Sequence, residues 1–237
     1  MSGHSKWSTI KHKKAALDSK RGKVFTKLIK EISVAAREGG GDPATNPRLR
    51  TLVEKTKKVN MPQDNVMRAI KKGTGELPGQ TYEEQNYEGY GPGGIAVIIE
   101  VLTDNKNRAA GELRHVFSRH GGRLSEPGSV SWMFNHLGTI RISGSDLSED
   151  RLLELLIEHP IHEIIDEQGS FVVATDPKAL DQIKQVLQTA GFDIKSAELE
   201  WTPQTRLSLE ADDETKALTF LEALDELEDV QNTYTNL

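Results

Sequence analysis

A chain of 237 residues is long for one average domain and short for three large ones, so two or three small domains are expected. Apolar residues make up 36 % and charged residues 28 %, ordinary values for a globular protein, and the longest apolar run, Ile95 to Val101, is broken by Glu100, so no segment reads as a membrane span. The absence of cysteine excludes disulfides, thiolate metal sites and a catalytic thiol. The first residues, MSGHSKWSTIKHKK, carry positive charge without the apolar stretch of a secretory signal, so a cytoplasmic address and no membrane partner are expected.

The net charge of −6 conceals a division of sign. Residues 1–73 hold 13 Lys and 5 Arg against 6 acids, a net of +12, and residues 74–237 hold 12 basic and 30 acidic side chains, a net of −18. So lopsided a split implies two tasks on one chain.

In chain order, Val24, Phe25, Leu28, Ile29, Ile32 and Ala35 recur with the period of a helix over Lys20 to Glu38, which Gly39-Gly40-Gly41 ends. Lys20, Lys23, Lys27 and Lys30 fall together on the face away from that apolar stripe, where solvent exposure is expected. Asn46-Pro47 reads as a second helix start, Asn accepting the first amide bonds and Pro fitting the first helical position. Leu49, Leu52, Val53 and Val59 form its apolar side, and Arg48, Arg50, Lys55, Lys57 and Lys58 its outer one. A third helix opens at Pro62, buries Val66, Met67 and Ile70, and stops at Gly73 with Lys71 and Lys72 against the negative end of its dipole.

Residues 74 to 86 read as a polar linker. Beyond it, short β-branched runs alternate with helical ones: strand 95–102, helix 107–119, strand 139–143, helix 150–159 and a hairpin 161–175 turning at Gln168-Gly169. Helix 178–190, strand 192–201, strand 206–210, helix 214–227 and a last strand near 230–235 follow. The fold class is α+β: an N-terminal helical bundle followed by two small α/β domains of ferredoxin-like, split βαβ type, one of them discontinuous. The expected boundaries are 1–79 for the basic helical domain, 80–128 plus 203–237 for the discontinuous one, and 129–202 for a domain inserted in it.

The run from Gly89 to Gly94 precedes a strand and opens no helix, so it reads as a tight turn and not as a nucleotide cradle. His159 and His162 are separated by Pro160, and His115 and His120 do not share a helical face, so no metal site is read from them. The acids Glu222, Asp225, Glu226, Glu228 and Asp229 read as the wet face of a helix, because no glycine-bearing loop wraps them as a calcium site requires. No nucleophile elbow, HExxH or kinase signature is present, and neither an enzyme activity nor a cofactor is expected.

The basic stretch points instead to phosphate. Lys6, Trp7, Lys11, Lys13 and Lys14 combine an aromatic ring with dense cations, followed by Lys20, Arg21, Lys23, Lys27 and Lys30, then Arg48, Arg50, Lys57 and Lys58. One sign of charge on the outside of three successive helices fits a nucleic-acid backbone. Trp7 stacks on a base or packs on the bundle in this reading. Nothing supplies base-specific readout: there is no zinc finger, zipper or RNP motif.

GHSKW at the start, RGKVFTK at 21–27, GGGDPATNPRLR at 39–50, YEGYGPGG at 87–94, DNKNR at 104–108 and GSVSWMF at 128–134 together resemble the YebC/PmpR family, which includes a mitochondrial translational activator of cytochrome c oxidase. The resemblance covers essentially the whole chain. It implies three domains, a helical one and two α/β ones, and either a cytoplasmic DNA-binding transcriptional regulator or a ribosome-associated factor that helps translation through stretches such as consecutive prolines. Its partner would be DNA, or ribosomal or transfer RNA. It carries over Lys6, Trp7, Lys11, Lys13, Lys14, Arg21, Lys23 and Lys27, and it brings no settled catalytic set.

Overall fold

The computed structural model describes residue 7 and residues 21–144, 147–167 and 170–237. Among the residues described from 21 onward, three helices come first: α1 (Arg21–Gly39), α2 (Pro47–Lys58) and α3 (Gln63–Gly73). Asn46 explains how the first two are joined. Its Oδ1 accepts the Leu49 amide at 3.0 Å, capping α2, and its Nδ2 donates to Ala35 O and Gly40 O, each at 2.8 Å, closing the C-terminal end of α1. A Cβ on Gly39 would stand 2.6 Å from that same Nδ2, so only glycine lets the two helix ends meet there. Leu28, Ile32, Ala35, Leu49, Leu52, Met61, Val66, Ala69 and Ile70 form the buried centre of the bundle. Met67 is not part of it: it is 45 % exposed, and the small Ala69 takes the inward position expected for it.

Strands β1 (Glu83–Tyr90), β2 (Ala96–Thr103), β3 (Arg123–Ser125) and β8 (Val230–Thr235) form an antiparallel-paired sheet of order β3-β1-β2-β8. β1 begins inside the stretch read as a linker. Its sequence, EEQNYEGY, lacks apolar alternation, and it becomes a strand by pairing along the length of β2, from Glu83 opposite Thr103 to Tyr90 opposite Ala96. β2 is central and covered on both faces, which explains its unbroken apolar text. The glycine run makes the β1–β2 turn, where Gly93 and Gly94 have φ of 69° and 78°. Helix α4 (Lys106–Arg119) packs on β2, and α7 (Ala211–Asp225) on that turn. They meet through the edge-to-face rings of Phe117 and Phe220, 4.9 Å apart. Glu88, 7 % exposed, accepts the amides of Gly128 and Val130 at 2.8 and 2.7 Å and so fixes the loop after β3 to β1.

The second sheet has order β5-β6-β4-β7 and is antiparallel throughout: β4 (Phe134–Ser143), β5 (Ile161–Asp166), β6 (Phe171–Thr175) and β7 (Asp193–Pro203). With α5 (Glu149–Leu156) after β4 and α6 (Leu180–Thr189) after β6, the chain path is β-α-β-β-α-β, the ferredoxin-like pattern expected. Ile140, Ile142, Phe171 and Val173 meet Leu152, Leu156, Ile183 and Leu187 in one core. On the sheet's other face Arg141 grips Glu200 with two bonds of 2.9 and 3.3 Å, both side chains 8 % exposed.

The expected strand at 206–210 does not form. Leu207 N bonds Asn236 O at 2.7 Å, but the stretch enters no ladder. The turn expected at Gln168-Gly169 lies outside the described residues. The described residues group into two compact units, one built on Trp7, Ser131–Ser208 and Tyr234–Leu237, the other on residues 21–130 together with Leu209–Thr233.

Candidate nucleic-acid interface

Lys23, Lys27 and Lys30 stand at i, i+4 and i+7 of α1 and share a face, as the helical period requires. That face is partly covered: Lys23 stays exposed, Lys27 is half-buried and Lys30 is buried. The turn that follows α7 lies across it: Lys23 pairs with the Glu226 carboxylate and donates to the Glu226 carbonyl at 3.3 Å. Lys30 Nζ lies 2.7 Å from Asp229 Oδ1, 3.2 Å from Glu228 O and 3.5 Å from Glu228 Oε1. Lys30 is 3 % exposed, which corrects the expectation that it faces solvent and phosphate. A helical wheel identifies residues that share a face but carries no information about a segment 199 positions away that covers it.

Asp229 is the hub of this contact. Besides Lys30, its carboxylate receives Arg108 Nη2 at 2.7 Å and Thr103 Oγ1 at 2.8 Å, and its carbonyl accepts the Leu102 amide at 2.8 Å. Burial pushes the carboxyl up, but the bonds from Lys30, Arg108 and Thr103 outweigh it and hold Asp229 below the usual carboxylate range. Arg108 is pushed up by Asp229 first and Asp104 second, the latter 2.8 Å away. Asn105 caps α4 by accepting the Arg108 amide at 3.1 Å. The DNKNR motif thus builds a helix start and an ionic joint.

The other named cations divide. Arg48 is exposed and pairs with Glu38 at 2.8 Å and with Glu84; burial draws its pKa down, yet the bond and charge of Glu84, with Glu38 behind it, leave it raised. Arg50 is exposed and donates to Pro43 O and Ala44 O at 3.3 and 3.2 Å, bracing the loop before its own helix. Lys27 is half-buried, and Lys57 and Lys58 are exposed. Trp7 is 2 % exposed, so a stacked base has no access to its ring, and it groups with Ser131–Ser208 and not with the bundle on which packing was expected. Lys6, Lys11, Lys13, Lys14, Lys20 and the side chain of Arg21 lie outside the described residues.

Residues not assigned to phosphate binding from sequence, Arg68, Lys71 and Lys72, complete the surface. Arg68, Lys71 and Lys72 on α3 are exposed and, with Lys57, form no ion pair among the described residues. Their i, i+3 and i+4 spacing was a readable signal, but the two lysines serve the end of the helix equally well. Beside them an open cavity of about 340 Å³ is lined by Arg37, Lys72 and the 75–82 segment, where Arg37 donates to Tyr82 O at 2.8 Å.

Among the described residues no group of His, Asp or Glu is arranged to hold a metal ion, and no helix is long and apolar enough to cross a membrane. The acids after residue 222 have protein partners: Asp225 accepts Thr233 Oγ1 at 2.9 Å, while Glu226 and Asp229 take lysines.

The molecule is therefore of a definable class, an α+β protein with a basic helical head and two four-stranded sheets among the described residues, one in a ferredoxin-like unit. It belongs to the TACO1/YebC family: the model of the TACO1/YebC protein N-terminal domain matches residues 5–76, and that of the TACO1/YebC second and third domain matches residues 82–237. A probable transcriptional regulatory protein of Desulfosudis oleivorans is 53 % identical over all of this chain and 96 % of its own length. Counterparts with the same description from Chlorobaculum parvum and Geobacter sulfurreducens are 51 % and 52 % identical, each over the whole chain and 95 % of their own length. The crystal structure of a conserved hypothetical protein from Aquifex aeolicus superposes with a TM-score of 0.84 at 44 % identity, covering 92 % of this chain and 90 % of that one.

Proposed function

We propose that the protein is a non-enzymatic regulator that binds nucleic acid through its basic helical head, as a DNA-binding transcriptional regulator of the YebC type. The observation that carries this is the set of exposed cations at the end of α2 and on α3, Lys57, Arg68, Lys71 and Lys72, which no carboxylate among the described residues neutralises. Cations so placed attract a phosphate backbone irrespective of base sequence. The description shared by the relatives, probable transcriptional regulatory protein, supports the reading. The proposed division is into a head at 1–79, a discontinuous domain at 80–128 plus 203–237 and an inserted one at 129–202, in a cytoplasmic protein.

Affinity for a short DNA duplex, measured across a salt series, tests it. Neutralising about five phosphates gives a slope of log affinity on log salt near −4.5. Reversing Lys57, Lys71 and Lys72 to Glu lowers that slope while the melting temperature holds. A flat salt response in the wild type sinks the reading.

A second reading, a ribosome-associated role in relieving stalled translation, draws on the same cations, since RNA presents the same phosphates, and on Trp132, whose ring is 68 % exposed. Sedimentation of lysates at moderate salt separates the two: absence from every ribosomal fraction counts against the second.

A further inference from the structure

Exposed tryptophans need an account, because each leaves a large apolar surface in water. Trp132 is 68 % exposed, the most exposed aromatic ring among the described large apolar residues. It sits on a one-turn 3₁₀ segment, Ser131–Met133, immediately before β4. That turn is held in place. Gln204 Nε2 donates to Trp132 O at 3.1 Å and to Asn135 Oδ1 at 3.2 Å, and Gln204 N donates to Met133 O at 2.9 Å. Two of these bonds fix the backbone that presents the indole and the third ties Gln204 to the Asn135 side chain, so a ligand meeting the ring has little backbone freedom left to freeze.

The surroundings select the ligand. Asn135, His136, Gln204, Thr205 and Arg206 are exposed around this turn, and His136 stacks with Trp201 at 4.8 Å between ring centres. Protein-binding tryptophans sit at the centre of apolar patches ringed by polar residues. Here the turn that carries the ring is flanked by the exposed amides of Gln204 and Asn135 and by His136 next in the chain. A nucleobase fits that setting, since it offers a flat face to the ring and polar edges to the neighbours. Bases in a duplex are stacked on each other and cannot use it.

The geometry points to Trp132 as a stacking platform for an unpaired base of single-stranded nucleic acid, with Gln204 as the residue that positions it. This rests on the chain binding nucleic acid through its basic head and names the form of ligand that the inserted unit adds. The phosphate grip and the base contact are separate: one is sensitive to salt, the other to strand state.

Binding of the full-length protein to oligo(rU) and oligo(dT) of about twelve nucleotides, and to an RNA duplex of the same length, tests it. Trp132→Ala is expected to lower affinity for the single strands about tenfold and to leave the duplex within about twofold, with an unchanged melting temperature. Trp132→Phe retains most of the affinity and Trp132→Leu does not. Binding of a single strand quenches tryptophan fluorescence, and Trp132→Ala removes most of the quench, because Trp7 is buried and Trp201 only half-exposed. Loss with oligo(rU) alone assigns RNA, and loss with both strands assigns either sugar. Single-strand affinity unchanged in Trp132→Ala, equal loss on the duplex, or full rescue by Leu overturns the proposal while wild-type duplex binding and its salt slope leave the basic head standing. A wild-type protein that binds none of the probes overturns both.

Discussion

Lys30 and Asp229, 199 residues apart, meet at 2.7 Å with both side chains 4 % exposed, joining the first long helix to the turn before the last strand. Taking one charge from such a pair leaves the other buried without a counter-ion. Asp229→Ala strands Lys30 and also deprives Arg108 and Thr103 of their acceptor, so it is expected to cost about 3–5 kcal/mol. Urea unfolding, with Lys30→Met and the double variant closing the cycle, checks it: a coupling near zero means that the two charges act independently.

The same carboxylate sets the acid limit. Its folded-state pKa lies below the value of about 3.9 that Asp has in an unfolded chain. The folded protein therefore gives up this proton more readily than the unfolded one. The stabilisation is fully present above the unfolded value and is lost as pH falls through the folded one. Unfolding free energy measured from pH 6 downwards is expected to fall more steeply below about pH 4 in the wild type than in Asp229→Asn. Parallel curves would show that Asp229 is not responsible.

On the proposed function, Glu226 competes with phosphate for Lys23. Both partners are about half exposed, so the pair is open to exchange with solvent ions. Glu226→Gln is expected to strengthen duplex binding about threefold at low salt, with the gain vanishing as salt rises. By contrast, Lys30→Glu places a second carboxylate against Asp229 and is expected to disrupt the fold. Charge reversal on this helix reports on binding only at Lys23 and Lys27. Weaker binding by Glu226→Gln would show that the acidic turn helps to hold nucleic acid.

What the sequence revealed depended on how local the physics was. Asn46-Pro47, Gly39 and the apolar period of α1 announced the first two helices, because caps and periodicity act within a few residues. The ferredoxin-like unit was legible for the same reason, its strands and helices each carrying a distinct period. β1 was not, since EEQNYEGY owes its conformation to its partner strand. The site followed the same line. Exposed Lys57 and Lys58 agreed with the wheel, whereas Lys30 and Trp7 were misjudged or left open because burial of a long side chain is decided by distant segments. Trp132 passed unnoticed among the family motifs because exposure is a property of the folded surface.

The ionic joint at Asp229 also governs how the head should be handled on its own. A fragment ending at Gly79 keeps α1, α2 and α3 but leaves Lys23 and Lys30 without Glu226, Glu228 and Asp229. Two charges that the whole protein neutralises internally then face solvent, one of them on a surface shaped for burial. On the proposed function, such a fragment is expected to bind polyanions more tightly and with less discrimination than the intact chain, because it displays a surface that the full-length protein covers.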